Sequence, residues 1–217
     1  MTESILRRRH STRSFLDKPI EPEIIKEIIA DAQLAPSWCN TQPWKAYIAT
    51  GELAKELHRT HYDNNLNARS WAEIMPPQES DWQGHTKDTY QGWMDTLSGL
   101  GNDNFADFLN LNRNDFHAPV IVYITIPKNA TAYSAYDTGA FGYGITLAAA
   151  ERGIGSIPAY EFIRYPQEIR DVFDMPENES LLLGIGLGYA DNDPVNDIHQ
   201  KTERQPLESV YILKDKK

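Results

Sequence analysis

The chain has 217 residues, 41% of them hydrophobic and 24% charged, the composition of a globular protein with enough apolar material for one substantial core. A formal net charge of -10 excludes a general nucleic-acid binder, which needs clustered Lys and Arg, and leaves small molecules as the expected partners. The single cysteine, Cys39, excludes an intramolecular disulfide framework and a Cys-rich zinc site and fits a reducing compartment, so cytoplasm is expected. No apolar run reaches the ~20 residues of a membrane span.

Arg7, Arg8, Arg9 and Arg13 crowd the N-terminus of this otherwise acidic chain, which allows a local anion site. From Pro22 to Leu34, Ile24, Ile25, Ile28, Ile29 and Ala32 recur at helical spacing and predict an amphipathic helix with proline near its start. Pro36 to Trp44 is dense in turn formers and reads as a loop, Lys45 to Thr50 as a short strand, and Gly51 to Tyr62 as a helix. The stretch from Asn64 to Asn104 is polar, with Trp71, Trp82 and Trp93 but weak periodicity, and is expected to form a variable, partly helical cap. Ala118 to Ile126 has the apolar, β-branched content of a buried strand.

Asp137 to Arg152 is apolar nearly all round and ends at Gly153, which predicts a central helix buried on most sides. Its small residues Gly139, Ala140, Gly142 and Gly144 leave room for a neighbouring backbone. Gly155 to Tyr160 follows as a loop or short strand, Tyr165 to Phe173 as a short helix, and Ser180 to Tyr189 as a second buried strand. Val210, Ile212 and Leu213, in the tail from Lys201 to Lys217, predict an edge strand. Helices and strands alternate irregularly, so the class is α+β in a single domain.

Two clusters carry chemistry. Arg9-His10-Ser11-Thr12-Arg13 sets guanidinium forks beside hydroxyls, and Arg binds phosphate bidentately; the same residues also suit a solvated basic terminus. Pro36-Ser37-Trp38-Cys39-Asn40-Thr41-Gln42-Pro43-Trp44 gathers hydroxyls and amides between two aromatic rings. That set can read the edge of a planar heterocycle, or mark no more than a helix stop before a hairpin.

Together, about two dozen residues apart with one amphipathic helix between them, these segments resemble the nitroreductase family of flavoproteins. Its pattern is Arg-(Arg/His)-Ser-x-(Arg/Lys), a helix, then Pro-Ser-x-x-Asn-x-Gln-Pro-Trp. The resemblance implies a nitroreductase-like α+β fold, with a mainly antiparallel central sheet flanked by helices. It also implies one domain over residues 1–217 with a cap at about 64–104, and a homodimer with a domain-swapped C-terminal arm.

FMN would lie between the subunits. Arg9, His10, Ser11, Arg13 and Arg204 would bind its phosphate and ribityl groups, and Pro36, Ser37, Trp38, Asn40 and Gln42 would belong to the loop supplied by the other subunit. Asn110 and Arg113 would address the pyrimidine edge, where a cation stabilises the anionic reduced ring. Pro158, Ala159 and Tyr160 would lie over the ring and offer a backbone N–H to N5. Relatives often carry glycine beside these last positions, where this chain has Tyr160 and Glu161. They also often carry Lys or Arg two residues before the C-terminal Arg, where this chain has Thr202, with Lys201 one residue out of register.

The implied reaction is ping-pong: NADH or NADPH reduces the flavin and leaves, and a nitroaromatic or quinone acceptor takes its place, with no protein nucleophile required. The same scaffold also supports dehalogenation, flavin fragmentation or enoate reduction, and a non-catalytic flavin-binding protein is a further alternative.

Other signals are discounted. Gly184-Ile185-Gly186-Leu187-Gly188-Tyr189-Ala190 looks like a dinucleotide fingerprint but leads into Asp191-Asn192-Asp193-Pro194, a loop rather than a helix, so it reads as a closely packed strand. His58 and His61 lack an acidic partner at metalloprotease spacing and read as surface residues. Cys39 reads as a structural or incidental thiol. The tryptophans and Phe105 to Phe108 could line a substrate pocket, but core and cap packing is the commoner explanation for such aromatics.

Overall fold

The computed structural model describes residues 3–67, 71–100 and 102–215; residues 68–70 and 101 of the expected cap and the last two of the tail lie outside that set. Val120–Pro127 (β2) is buried at every position except its terminal proline, which requires packing on both faces and therefore a central place in a sheet. It pairs antiparallel with Lys45–Thr50 (β1) on one side and with Glu179–Gly188 (β4) on the other. Gly155–Ala159 (β3) then pairs antiparallel with β4, giving the order β1-β2-β4-β3. The expected loop or short strand at 155–160 is thus a strand.

Alternation along β2 feeds two cores. Val120, Val122 and Ile124 face Ile25, Ile28 and Ala32 of Pro22–Ala32 (α2) and Phe141 and Ile145 of Ala132–Glu151 (α6). Ile121 and Tyr123 face the opposite layer, built from Leu57 of Gly51–Asn67 (α3), Ile169 of Pro166–Phe173 (α7) and the turn residues Phe116 and Phe162. Strand β4 changes faces part-way along. The register steps from Ile124↔Leu183 to Thr125↔Leu181, so Leu182 is a bulged residue. Leu181 accordingly joins the α3 side, whereas Leu183 packs on the α6 side.

The glycines of β4 have the role expected of a closely packed strand. A Cβ on Gly184 would overlap the Phe162 side chain, and one on Gly186 or Gly188 would come within 2.7 Å of Phe162 or 2.6 Å of Phe15. The central helix also matches its expected character but begins earlier, at Ala132. It ends in a Schellman motif: Gly153 has φ +70°, Ile154 N–H donates to Ala149 C=O at 2.9 Å, and Gly153 N–H to Ala150 C=O at 3.2 Å. Of its small residues, Gly144 meets the α2 backbone, since a Cβ there would lie 3.1 Å from Ala32 Cα, whereas Gly139 faces open space.

The cap is helical over His85–Ser98 (α4), followed by Asn102–Arg113 (α5). Leu97 and Phe108 from this pair pack with Val195 and Ile198 of the 3-10 segment Pro194–Lys201, forming a third, smaller core. The tail departs from expectation. Among the described residues it forms a short helix, Leu207–Val210 (α8), and no strand; Tyr211 has the extended φ -144° and ψ 155° of a strand without a ladder partner. A strand needs a neighbour for its backbone groups, which hydrophobic alternation alone does not supply.

Candidate functional site

The N-terminal basic segment is held by its own backbone. Beyond the short helix Ile5–Arg8 (α1), Ser11 forms a parallel bridge to Ser156 of β3, and Thr12 N–H donates to Ser156 C=O at 2.9 Å. Asn196, buried beneath it, accepts from the N–H groups of Arg13 and Ser14 at 2.7 and 3.1 Å and donates to Ser14 C=O at 3.0 Å. One amide thus satisfies three backbone groups in a segment with no ladder of its own. Sequence reading missed Asn196 because it lies 183 residues from Arg13.

Around this segment is a cavity of about 970 Å³, lined by Arg9, His10, Ser11, Arg13 and Arg204, so five of the expected contacts are brought together. Arg7 and Lys201 line it as well. Its five cations (Arg7, Arg9, Arg13, Lys201, Arg204) face two carboxylates (Glu3, Glu203), so the cavity is locally positive in an acidic chain. The solvated-terminus alternative does not describe Arg9 and Arg13, which are half-buried. Arg9 Nε is buried with no hydrogen-bond partner among the described residues, and burial lowers the Arg13 pKa. Both guanidinium groups therefore suit an anionic group in the cavity, which would supply the missing acceptor and offset the burial.

Two imidazoles and an indole complete this wall. The His10 and His199 rings stack with centroids 3.9 Å apart, and each ring has its Nδ1 on a backbone carbonyl, of Arg8 at 3.0 Å and of Asn196 at 2.7 Å. Burial, reinforced by His199, Arg9 and Arg13, lowers the His10 pKa. From the cap, Trp93 sits under the Arg13 guanidinium at 5.5 Å. Trp93 therefore lines this cavity, so for this tryptophan the pocket alternative holds beside the expected cap packing, Trp93 also packing against the third core.

Strand β3 links this end to a second expected region. From Ser156, beside Ser11, to Tyr160 is four residues, roughly 13 Å of extended chain. Pro158, Ala159 and Tyr160 thus lie further along the strand that carries the cation-rich end. The cation-rich end itself suits the anionic head of a ligand.

The loop from Pro36 to Gln42 is a separate knot against α6. Trp38 N–H donates to the buried Asp137 carboxylate at 2.9 Å, Gln42 N–H donates to Ser37 Oγ at 3.0 Å, and Gln42 Nε2 donates to Asn40 Oδ1 at 3.1 Å. Cys39, Asn40 and Gln42 have φ of 50°, 58° and 46°, with Thr41 between the last two at φ -71°, so three of four successive non-glycine residues are left-handed and strained. None of these residues lines the cation-rich cavity. On α6 the two motifs flank one surface: Asp137 holds the loop, and Arg9 lies 5.9 Å from the Tyr143 ring, six residues and roughly 9 Å further on.

Asn110 and Arg113 are exposed at the end of α5 and do not line the cavity. The reading of His58 and His61 as surface residues is corrected. His61 is buried, within 3.1 Å of Glu161 and 3.3 Å of Asp115, and His58 Nε2 meets Ala118 C=O at 2.9 Å. Their partners come from other elements, so helical spacing could not show them. No group of His, Cys, Asp and Glu among the described residues could hold a metal ion, and no described helix is long and apolar enough to cross a membrane.

Comparison with known proteins agrees with this geometry. The model of the family described as "Nitroreductase family" matches residues 6–189. A 4-nitrobenzoate reductase of Pseudomonas putida is 31% identical over 93% of this chain and 91% of its own length. A nitrobenzene nitroreductase of Ectopseudomonas oleovorans is 28% identical over 88% and 87%. The FMN-dependent nitroreductase of Mycobacterium smegmatis, solved with NADPH, superimposes with a TM-score of 0.87 at 24% identity, over 97% of this chain and 96% of that one. With both motifs in contact with α6 and the family match running through β4, the chain belongs to the nitroreductase family.

Proposed function

We propose that the chain is an FMN-dependent oxidoreductase that uses NADH or NADPH to reduce nitroaromatics, quinones and related acceptors. The observation that carries this reading is the locally positive cavity beside Ser11, lined by Arg9, Ser11, Arg13 and Arg204, within a chain of this family. Arg9, Arg13 and Arg204 hold the FMN phosphate, Ser11 and His10 meet the adjacent polar groups, and Ala159 and Tyr160 lie over the ring. Asn110 and Arg113 address its pyrimidine edge. Bound FMN supplies hydride chemistry, accepting from the nicotinamide and passing electrons to the acceptor. The protein's part is to bind, orient and exclude solvent.

The working unit is a homodimer, with each Ser37–Gln42 loop completing the partner's site. Supporting this are the exposed aromatic stripe of α6, where Tyr136 is 72% and Tyr143 46% exposed, and the exposed tail, where Ile212 is 86% exposed. Strand β1 ends the sheet with an open edge, and the extended tail has the form of a strand seeking one. The acidic charge and the single cysteine fit a cytoplasmic enzyme without nucleic-acid or membrane partners.

The deciding experiment is an anaerobic spectrum of the FMN-loaded protein near 450 nm. Bleaching within seconds on one equivalent of NADH or NADPH, followed by recovery on adding 4-nitrobenzoate or a quinone, is the expected result. A flavin that stays oxidised overturns the enzyme reading, and protein that takes up no FMN overturns the site as well.

A further inference from the structure

On the sheet face covered by α3 lies a knot of buried polar groups that the proposed reaction does not use. His61 is 1% and Asp115 2% exposed in their side chains. His61 Nε2 is 3.1 Å from Glu161 Oε1 and 3.3 Å from Asp115 Oδ1, and its Nδ1 is 3.6 Å from Glu168 Oε1. Asn65, one turn further along α3, has Nδ2 2.8 Å from His61 Nε2, so both nitrogens converge on Glu161 Oε1, to which Asn65 donates at 3.0 Å. The same Nδ2 reaches Arg113 C=O at 3.4 Å, and Asn65 Oδ1 accepts from Arg164 Nη1 at 2.8 Å.

Burying three carboxylates costs several kcal/mol each unless cations and donors answer them, and apolar residues of equal volume would fill the space at less cost. What such a knot supplies instead is a fixed arrangement of the segments that meet in it. Those segments are α3, the end of α5 at Arg113, the turn Asp115–His117, the turn after β3 at Glu161, and α7 at Glu168. The turn Asp115–His117 is a run of three left-handed residues, with φ of 49°, 57° and 50°, which only strong surroundings hold. Arg113 and Tyr160 belong to the two segments assigned to the pyrimidine edge and the ring face.

We propose that Asn65, backed by His61, is a positioning residue that ties the Arg113 end of α5 to the Tyr160–Glu161 turn and so fixes the two grips on the flavin ring relative to each other. The inference rests on the FMN reading above. A cation at the pyrimidine edge favours the reduced, anionic ring, so loosening this tie weakens binding of reduced FMN more than of oxidised FMN.

The test is titration of oxidised FMN, and of FMN reduced with dithionite under anaerobic conditions, into the wild-type chain, Asn65→Ala, Asn65→Ser and Glu73→Ala. Glu73 is the control, because its carboxylate joins Arg170 and the Leu181 N–H in a separate polar cluster on the same layer. The loss of one hydrogen-bonded tie is expected to raise the ratio of reduced to oxidised dissociation constants by roughly two- to tenfold in either Asn65 variant. Glu73→Ala is expected to lower the melting temperature and leave that ratio at the wild-type value. An unchanged ratio in whichever Asn65 variant folds, or an equal change in Glu73→Ala, overturns the positioning role while leaving the FMN reading intact. A wild-type chain that binds neither form overturns both.

Discussion

At the scale of single residues, charge and burial decide the predictions. The half-buried Arg13 guanidinium lies over the Trp93 ring and, among the described residues, donates one hydrogen bond, to Ser11 C=O at 3.2 Å. Charge-assisted contacts of this kind are worth roughly 1.5–3 kcal/mol. Arg13→Ala is therefore expected to raise the FMN dissociation constant roughly 10- to 100-fold, read by quenching of flavin fluorescence, with little change in melting temperature. His61 predicts a pH dependence. Burial alone would lower its pKa, but Glu161, Glu168 and Asp115 outweigh that and raise it to about 9. Its stabilising effect is complete below about pH 6.5, where the unfolded imidazole is also protonated, and is lost as pH rises through about 9, a span worth roughly 3 kcal/mol. Glu161 has the opposite sign: its pKa is lowered, despite burial, by His61 and Asn65, so its contribution is present above the usual carboxylate range and lost in acid. Melting temperature should thus decline between pH 7 and pH 10, and His61→Gln should start lower and flatten that slope. An unchanged slope would assign the alkaline loss to other groups.

At the scale of elements, backbone geometry sets what each position tolerates. Gly184 lies against Phe162 with no room for a methyl group, so Gly184→Ala should cost roughly 2–3 kcal/mol through overpacking. Gly153 has open space but φ +70°, and Gly153→Ala should cost only about 1 kcal/mol through strain. Urea denaturation of both variants checks the order, and equal losses would contradict it. The elements legible in the sequence were those whose periodicity depends on local burial: α2 from its isoleucines, β2 from its unbroken apolar run, β4 from glycines that lead into a loop instead of a helix. What was not legible depends on contacts across the chain. The bulge at Leu182 reverses the faces of β4 without any turn residue to mark it. Likewise, Asp115, Phe116 and His117 carry no glycine signal for their left-handed turn. The site divides in the same way. Arg9, His10, Ser11 and Arg13 were legible as a motif, whereas Trp93, Asn196 and His199 join them only through tertiary packing.

At the scale of the whole molecule, the α6 stripe and the tail argue for a second copy. Tyr136→Asp combined with Tyr143→Asp places charge on that stripe and is expected to give a monomer by sedimentation that also loses tight FMN binding; a variant that stays dimeric would point to another interface. The contrast between the acidic chain and its cation-lined cavity bears on the rate at which an anion arrives. At about 0.01 M salt the Debye length is roughly 30 Å, so an approaching dianion meets the field of the whole negative surface. Near 0.1 M it shortens to about 10 Å, and the anion senses the basic cavity only once it is close. Added salt in this range should therefore speed FMN association in stopped-flow traces, the reverse of what a protein uniformly attractive to phosphate would show. Because the arginines themselves are screened as well, release should quicken too, so the cofactor would exchange faster in salt at nearly unchanged affinity.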